Sequence, residues 1–255
     1  MIQAIGLTKK YDKVNALEGL NLEIPEGEIF GLLGPNGAGK TTAVKIFTGL
    51  LKPTSGRALI DGLDIQKEPE KAKKLIGLIP DNPFIYQKLT GCEFLNFIGD
   101  LYEVPESIRS KKISEYFEMF ELTEYRNKLV EDYSHGMKQK IVISAVLLHN
   151  PKNIFLDEPM VGLDPKGARL VKDILFELSK RGASIFMCTH TLEIAEKLCH
   201  RIGIIDKGRL IAVGSKEQLR ILAQDKGPAV INDNLEDIFL KLTGAGEFDG
   251  IFIDP

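Results

Sequence analysis

The sequence predicts an α/β fold into which an all-helical block is inserted. Apolar runs typical of buried strands alternate with helical periodicity up to residue 82 and again after Pro151. From residue 83 to residue 149 the helical periodicity continues with almost no strand signal. A glycine-rich stretch near the start of the chain, residues 34–41, separates a strand-like run from a helix-like run. These observations divide the chain into residues 1–82, 83–150, 151–214 and 215–255.

The first part is predicted to combine a small antiparallel β region with the first strands and helix of the α/β core. Short strands are expected over residues 2–7 and 21–24, with a turn at residues 11–13 between them. Residues 29–33 form an apolar run typical of a buried strand. Helical spacing of apolar residues follows, and two more strands are expected at 57–60 and 75–79. The residues that share that helical face are Ala43, Ile46, Phe47 and Leu50.

Three helices are predicted in the inserted block. Thr90 and Glu93 have the spacing of a capping box, which marks the start of the first helix. The second is expected near residues 107–120, with apolar residues repeating along one side. The third begins near Ser134.

After Pro151 the alternation of strands and helices returns. Strands are expected at 153–157 and 184–189, and residues 202–213 are typical of a hairpin that turns at Asp206 to Gly208. One helix opens at Asp164 and Pro165 and ends before Gly182, and another ends near residue 199. Residues 215–243 are predicted to form two short helices, and residues 244–255 a loosely ordered tail.

The composition gives little information about binding partners or cellular location. The chain has 255 residues, a formal net charge of -3, and 44% apolar residues. This charge gives no argument for a nucleic-acid partner or for an anionic membrane surface. The three cysteines lack metal-binding spacing, which is typical of reduced thiols in the cytosol. Neither a signal peptide nor an apolar run of the roughly 20 residues that a membrane helix needs is recognisable, so no direct membrane insertion is expected.

The glycine-rich stretch fits the phosphate-loop pattern G-x-x-x-x-G-K-[ST] at every fixed position. Its glycines allow consecutive backbone N–H groups to converge on phosphates, and the following helix adds the positive end of its dipole. Lys40 supplies a full charge near the β- and γ-phosphates, and the Thr41 hydroxyl suits a Mg²⁺ ligand. The fold class is thus an α/β P-loop NTPase core, a mixed sheet with flanking helices. The predicted nucleotide-binding residues are Gly34, Pro35, Asn36, Gly37, Ala38, Gly39, Lys40, Thr41 and Thr42.

A second chemical motif lies at the end of the predicted strand 153–157. Asp157 closes an apolar strand, as in a Walker B element, where it can hold Mg²⁺ through water. Glu158 follows at once and is the candidate that orients or deprotonates the attacking water. His190, at the end of the next strand, is a further catalytic candidate, although spacing alone leaves a structural role open.

The stretch from Tyr133 to Met137 resembles the signature of the ATP-binding cassette (ABC) ATPases, in the variant form Tyr-Ser-x-Gly-Met. The segment Gly162-Leu163-Asp164-Pro165 resembles the D-loop of that family, and His190 resembles its switch histidine. The order and spacing match over essentially residues 1–243. The resemblance implies that two cassettes pair head to tail around two ATP molecules, each held by the phosphate loop of one cassette and the signature of the other.

The resemblance also assigns roles to individual residues. Ser134 and Gly136 are expected to present a second helix N-terminus to the γ-phosphate held by the other cassette. Tyr11 resembles the aromatic residue that stacks on adenine. The family usually has glutamine at the lid that joins the core to the helical block, and here the matching position is Asp81, expected as a Mg²⁺ ligand, with Gln87 as the alternative. His135 and Met137 replace the usual glycine and glutamine of the signature.

The function that follows is the ATP-hydrolysing subunit of an ABC transporter, with ATP and Mg²⁺ as cofactors. Its expected partners are integral membrane permease subunits and a second cassette, and its expected place is the cytoplasmic face of the membrane. The lid and residues 83–102, with Phe84, Ile85 and Tyr86, are the expected contact with the permease. The C-terminal region resembles cassettes of bacterial export systems.

The alternatives are a soluble ABC ATPase acting on a macromolecular complex and a non-hydrolysing ATP-gated module; a GTPase is disfavoured because no Asn-Lys-x-Asp motif occurs.

Overall fold

The computed structural model of the chain describes residues 1–224 and 234–244. Within them, the strands form one four-stranded and one six-stranded sheet. The strands are β1 Ile2–Tyr11, β2 Val14–Ile24, β3 Ile29–Leu33, β4 Ser55–Ile60, β5 Leu63–Asp64, β6 Ile76–Ile79, β7 Asn153–Asp157, β8 Ser184–Thr189, β9 Arg201–Asp206 and β10 Arg209–Gly214. The helices are α1 Lys40–Phe47, α2 Pro69–Lys74, α3 Gly91–Leu101, α4 Glu106–Met119, α5 His135–His149, α6 Pro165–Lys180, α7 Leu192–Leu198, α8 Lys216–Gln224 and α9 Leu235–Thr243.

The six-stranded sheet carries the site, and its order is β10-β9-β3-β8-β7-β6. Its neighbouring strands are parallel except for β10, which pairs antiparallel with β9. Every residue of β3, β7 and β8 is buried, as expected for parallel strands covered on both faces. The predicted mixed sheet with flanking helices is therefore confirmed. Because parallel strands end at the same edge, the segments that follow β3, β7 and β8 meet there.

The N-terminal β region is antiparallel, as predicted, but its strands are longer than the sequence indicated. The sheet order is β2-β1-β4-β5, and β1 and β2 form a hairpin that turns at Asp12. The predicted turn at 11–13 is present, but the prediction of short strands at 2–7 and 21–24 was wrong in extent. Gly6 and Gly19 have positive φ angles and the β1–β2 register shifts near them, so bulged strands resembled turns in the sequence.

The predicted helical block is present between β6 and β7. Helix α3 begins with the predicted capping box: the Thr90 hydroxyl accepts from the Glu93 N–H at 3.1 Å, and the Glu93 carboxylate accepts from the Thr90 N–H at 2.8 Å. Helix α4 covers the second predicted helix, and Ser134 is the N-cap of α5. Apolar side chains of these three helices pack in one buried cluster with residues of the six-stranded sheet.

Two details of the helices differ from the prediction. Helix α1 ends at Phe47, and Leu50 is 63% exposed instead of sharing the buried face, because the chain turns at Gly49 with a φ of 69°. Helix α2 was not predicted. The predicted helices after residue 164, the β9–β10 hairpin and the two short helices in 215–243 are confirmed. The predicted tail lies outside the described residues except for Gly244.

Among the described residues, the structure contains no helix with the length and apolar character needed to cross a membrane.

Candidate active site

The phosphate loop connects β3 to α1 and has the conformation that its glycines allow. Gly37 and Gly39 have φ angles of 80° and 110°, a region that side-chain-bearing residues rarely adopt. A side chain at Gly34 would overlap the carbonyl oxygen of Ile205, and one at Gly39 would overlap that of Ala16. Within the described part of the chain, α1 has no side-chain N-cap, so its first N–H groups are available to an anion.

Lys40 is the first residue of α1 and lies over the loop that precedes it. Its side-chain ammonium donates to the carbonyl oxygens of Gly34 at 2.6 Å and Pro35 at 3.1 Å, and the residue is only 7% exposed. The ammonium is thus held by neutral carbonyl oxygens, and it forms no ion pair with a carboxylate among the described residues. An anionic ligand at the loop would therefore gain a strong electrostatic partner.

A cavity of about 430 Å³ at this edge of the sheet brings together most of the predicted site. Its lining residues come from the phosphate loop and α1, from the segment after β6, and from the ends of β7 and β8. They are Asn36, Gly37, Gly39, Lys40, Thr41, Thr42, Asp81, Asp157, Glu158, Val161 and His190. Gly34, Pro35 and Ala38 lie within the same loop; Pro35 accepts a backbone hydrogen bond from Ala38 at 3.2 Å.

Asp157 lies at the floor of the cavity, where it is buried at the end of β7. Burial raises the pKa of its carboxyl group; a hydrogen bond from the Thr41 hydroxyl opposes this rise, and the negative charges of Glu158 and Asp81 add to it. A cation bound beside such a carboxylate stabilises its ionised form. Asp81 is the lid residue that lines this cavity. Gln87, the alternative, is exposed and outside the lining set, and its carbonyl oxygen accepts from the Glu131 N–H at 3.1 Å.

The oxygen donors fit a magnesium ion that is shared with a nucleotide. No group of three or more His, Cys, Asp or Glu side chains suited to a metal occurs in the part of the chain that the structure describes. Thr41, Asp81 and Asp157 provide one hydroxyl and two carboxylates. Mg²⁺ is commonly held by one or two carboxylates together with substrate phosphates and water, so these residues suit Mg²⁺ brought by a triphosphate.

The Glu158 carboxylate is held in one orientation by contacts with Thr189 and His190 at the end of β8. It accepts from the Thr189 hydroxyl at 2.9 Å and from the His190 N–H at 2.8 Å, and it lies 2.7 Å from Nδ1 of His190. The Glu158 N–H donates to the Cys188 carbonyl oxygen at 2.9 Å, and the Glu158 φ of 51° is unusual for a residue with a side chain. The sequence did not indicate the role of Thr189. Its position as the last strand residue before His190 was the only available signal.

Tyr11 is not among the residues that line the cavity. It is 46% exposed at the end of β1, and the Lys9 ammonium lies 5.0 Å from the centre of its ring. The β1–β2 hairpin does approach the phosphate loop through Ala16, whose carbonyl oxygen lies against Gly39. An exposed ring on this hairpin is compatible with stacking on an adenine, and this role stays a prediction.

The signature residues lie at the N-terminus of α5, away from the cavity lined by the same chain. The Ser134 hydroxyl accepts from the Met137 N–H at 3.3 Å, and Gly136 packs against the carbonyl oxygen of Gly162. His135 is exposed and its ring lies beside Gly162. The Met137 side chain, by contrast, packs on the buried cluster of the helical block, so it is directed inward.

A phosphate loop at the end of a buried parallel strand, a Walker B carboxylate and an oriented glutamate beside a histidine together define a P-loop ATPase. The profile of the ABC transporter family matches residues 17–161, which is more than half of the chain. The chain therefore belongs to the ABC transporter family, in which it is an ATP-binding cassette, the ATPase unit.

Individual relatives agree with this assignment. The linearmycin resistance ATP-binding protein LnrL of Bacillus subtilis is 39% identical over 219 residues, which cover 86% of this chain and 70% of LnrL. Two further relatives, ABC transporter ATP-binding proteins of Nostoc and Synechocystis, are covered over only 62% and 61% of their lengths.

Solved structures show the same fold. The structure of an ATP-binding subunit of an ABC transporter superposes with a TM-score of 0.88 at 30% identity, covering 95% of this chain and 99% of its own. The cassette MJ0796, solved as a dimer in a post-hydrolysis state bound to ADP and Pi, superposes with a TM-score of 0.77 at 27% identity, covering 84% of this chain and 98% of its own.

Proposed function

We propose that this chain is the ATP-hydrolysing subunit of an exporter, which pairs with a second cassette around two ATP molecules and acts through separate membrane subunits. The observation that carries the proposal is that the two parts of a nucleotide site are both present in one chain but do not lie in the same cavity. The cavity presents the phosphate loop, the carboxylates and His190, whereas the N-terminus of α5 with Ser134 and Gly136 lies outside it. Two such chains in head-to-tail contact would complete two sites.

Within the site, we propose the following roles for the individual residues. The loop N–H groups and Lys40 bind the phosphates and stabilise the charge that develops on them. Thr41, Asp81 and Asp157 would hold the cation, and bound Mg²⁺ would supply positive charge that polarises the phosphate groups. The Glu158 carboxylate accepts a proton from the attacking water, and His190, fixed beside Glu158, faces the same cavity. Tyr11 stacks on the adenine.

The direction of transport is proposed from the relatives. LnrL is named as a resistance protein, and resistance to a compound is readily achieved by moving it out of the cell. This favours transport over the alternative of a soluble ATPase acting on a macromolecular complex. We further propose that the chain acts at the cytoplasmic face of the membrane, attached through its partners, because ATP is available there.

A groove between the core and the helical block is the proposed contact with the membrane subunits. Its volume is about 510 Å³; it reaches Thr41 and Asp157 at its inner end and Phe84 at its outer end. Phe84 is 94% exposed and Tyr86 is 62% exposed, and the Tyr86 ring packs edge-on against Phe97. Exposed aromatic side chains beside an apolar groove are typical of a protein interface. Because the groove ends at the metal-binding residues, a partner seated in it could sense the nucleotide.

Purification of the tagged chain from solubilised membranes of its own cells tests this function. The proposal predicts that an integral membrane protein is retained with the wild-type chain and is largely lost with Phe84→Ser. Val14→Ser, which alters an exposed apolar residue on the β1–β2 hairpin, is the matched control and should retain the partner. Recovery of the chain with ribosomal or other soluble assemblies, and with no integral membrane protein, would contradict the transport function.

A further inference from the structure

The turn between β9 and β10, at Lys207 and Gly208, lies against the phosphate loop. The Gly208 N–H donates to the Ala38 carbonyl oxygen at 3.0 Å. At the start of the loop, Gly34 is so close to the Ile205 carbonyl oxygen that a side chain could not be accommodated there. Neither Ile205 nor Gly208 lines the nucleotide cavity. The turn therefore supports the loop without reaching the space that a nucleotide would fill.

Gly208 is also joined to β2. Its carbonyl oxygen accepts from the Glu18 N–H at 2.9 Å, and its φ is 79°. A Cβ atom at Gly208 would lie 2.9 Å from the Asn15 carbonyl oxygen and 3.0 Å from that of Ala16. This close approach to another backbone requires glycine in addition to the positive φ. Gly208 thus connects the phosphate loop, through its N–H, to β2, through its carbonyl oxygen.

A side-chain ion pair lies beside this backbone contact. The Arg209 guanidinium donates to the two Glu18 carboxylate oxygens at 2.9 Å and 2.7 Å, and this hydrogen bonding is the main cause that lowers the pKa of the Glu18 carboxyl group. The Arg209 side chain is 67% exposed, and exposed ion pairs contribute little to stability. The position of the turn on β2 therefore depends chiefly on the backbone of Gly208.

The hydrogen bond from Gly208 fixes the plane of the peptide between Ala38 and Gly39. In a planar trans peptide the carbonyl oxygen and the N–H point in opposite directions. Because the Ala38 carbonyl oxygen is turned toward Gly208, the Gly39 N–H is turned away from the β9–β10 turn. Gly39 lines the cavity, and its N–H has no acceptor among the described residues. This N–H is therefore available to a phosphate oxygen.

We propose that Gly208 is a positioning residue for the phosphate loop, because it holds the Ala38–Gly39 peptide in the orientation that directs the Gly39 N–H to the phosphates. This inference rests on the proposed binding of phosphates by the loop N–H groups. The simpler role is that of a turn glycine that is needed only for its positive φ. Gly62 is such a glycine: its φ is 81°, and no atom lies within 4 Å of a Cβ placed on it.

Binding of ADP and of inorganic tripolyphosphate to Gly208→Ala, measured by titration calorimetry, tests the proposal. The added methyl group pushes the turn away from β2 and weakens its hold on Ala38. The dissociation constants of both ligands should rise by the same factor, at least about tenfold, as expected for one lost hydrogen bond to a charged group. Gly62→Ala introduces the same backbone strain without the contact, and it should bind both ligands like the wild type.

Hydrogen exchange of the Gly208 amide in the wild-type chain, followed by NMR, gives a second measurement that does not require the variant to fold. Saturation with tripolyphosphate should slow this exchange at least about threefold, because an occupied loop holds the Ala38 acceptor in place. The Gly62 amide should exchange at an unchanged rate.

Three results would overturn the proposal. They are wild-type affinity for tripolyphosphate in a folded Gly208→Ala chain, weakened binding of ADP alone, and Gly208 exchange that tripolyphosphate does not slow. Weakened binding of ADP alone would place the defect at the base and not at the phosphates. A wild-type chain that binds neither ligand would contradict the proposed function as well, so the two failures are distinguishable.

Discussion

Asp157 is buried and lies near two other negatively charged side chains. It is 7% exposed, and Glu158 and Asp81 face it from the neighbouring chain segments, while Lys40 and the Thr41 hydroxyl act in the opposite sense. The pKa of its carboxyl group is raised, with burial as the largest cause. The folded chain therefore retains this proton more strongly than the unfolded chain does, and the ionised carboxylate lowers stability at neutral pH.

Asp157→Asn should make the chain more stable at pH 7 when nucleotide and Mg²⁺ are both omitted. The asparagine oxygen can still accept from Thr41, and the buried negative charge is removed. A raised pKa costs stability in full above that pKa, and the cost disappears as the pH falls to the value of the unfolded chain, so the gain should shrink as the pH falls toward the ordinary aspartate value of about 4. Urea midpoints measured between pH 7 and pH 4.5 check this. A gain that grows on acidification, or a loss at pH 7, contradicts it.

Asp81→Asn should change the dependence of ATP hydrolysis on Mg²⁺. Removal of one of the two proposed carboxylate ligands weakens the hold on the cation, so the Mg²⁺ concentration for half-maximal rate should rise severalfold. A titration of Mg²⁺ at fixed ATP measures this, with Gln87→Glu as the control at the alternative lid position. An unchanged titration for Asp81→Asn would rule out a metal-linked role.

At the scale of secondary-structure elements, two helices of the helical block, α3 and α5, begin at side-chain N-caps. Helix α3 follows directly after the proposed docking residues. Its capping box provides acceptors for two backbone N–H groups, those of Thr90 and Glu93. Helix α5 presents the signature at its own N-terminus, where Ser134 is the cap. In our proposal, the positions of both helix starts therefore determine where the partner contact and the second half-site lie.

Thr90→Ala should destabilise α3 by about 1 kcal/mol, the typical cost of losing an N-cap. Hydrogen exchange of the α3 amides is the suitable measurement, and roughly fivefold faster exchange is expected if the helix opens locally. Thr90→Ser keeps the hydroxyl and should exchange like the wild type. Equal exchange rates in Thr90→Ala and the wild type would show that the cap contributes nothing measurable.

The sequence predicted those elements whose determinants are local. The phosphate loop, the capping box and the buried parallel strands depend on neighbouring residues, and the structure contains all three. The lengths of β1 and β2 were missed because glycine bulges and exposed polar residues resemble turns. The contacts of Glu158 with Thr189 and His190 depend on residues distant in sequence, so spacing could not reveal them. Asp81 was located only by analogy with a lid residue, and the structure places it at the cavity.

At the scale of the whole molecule, we propose that the chain functions in pairs. Its nucleotide cavity is lined by Lys40, Asp81, Asp157 and Glu158, whereas the Ser134 cap of α5 is not among the lining residues. The MJ0796 cassette, which has the same fold, was solved as a dimer bound to ADP and Pi. In our account ATP completes the interface, and its hydrolysis releases it. Glu158 is central, because it ends the paired state without contributing to its formation.

The most direct test is the mass of the Glu158→Gln chain in solution with and without ATP and Mg²⁺. The account predicts a monomer of 28.3 kDa without nucleotide and with ADP, and a dimer of twice that mass with ATP. It also predicts that ATP hydrolysis falls by at least about a hundredfold, as expected for loss of a general base. Light scattering on a sizing column measures the mass. A chain that binds ATP but remains monomeric, or that hydrolyses ATP at the wild-type rate, would contradict the account.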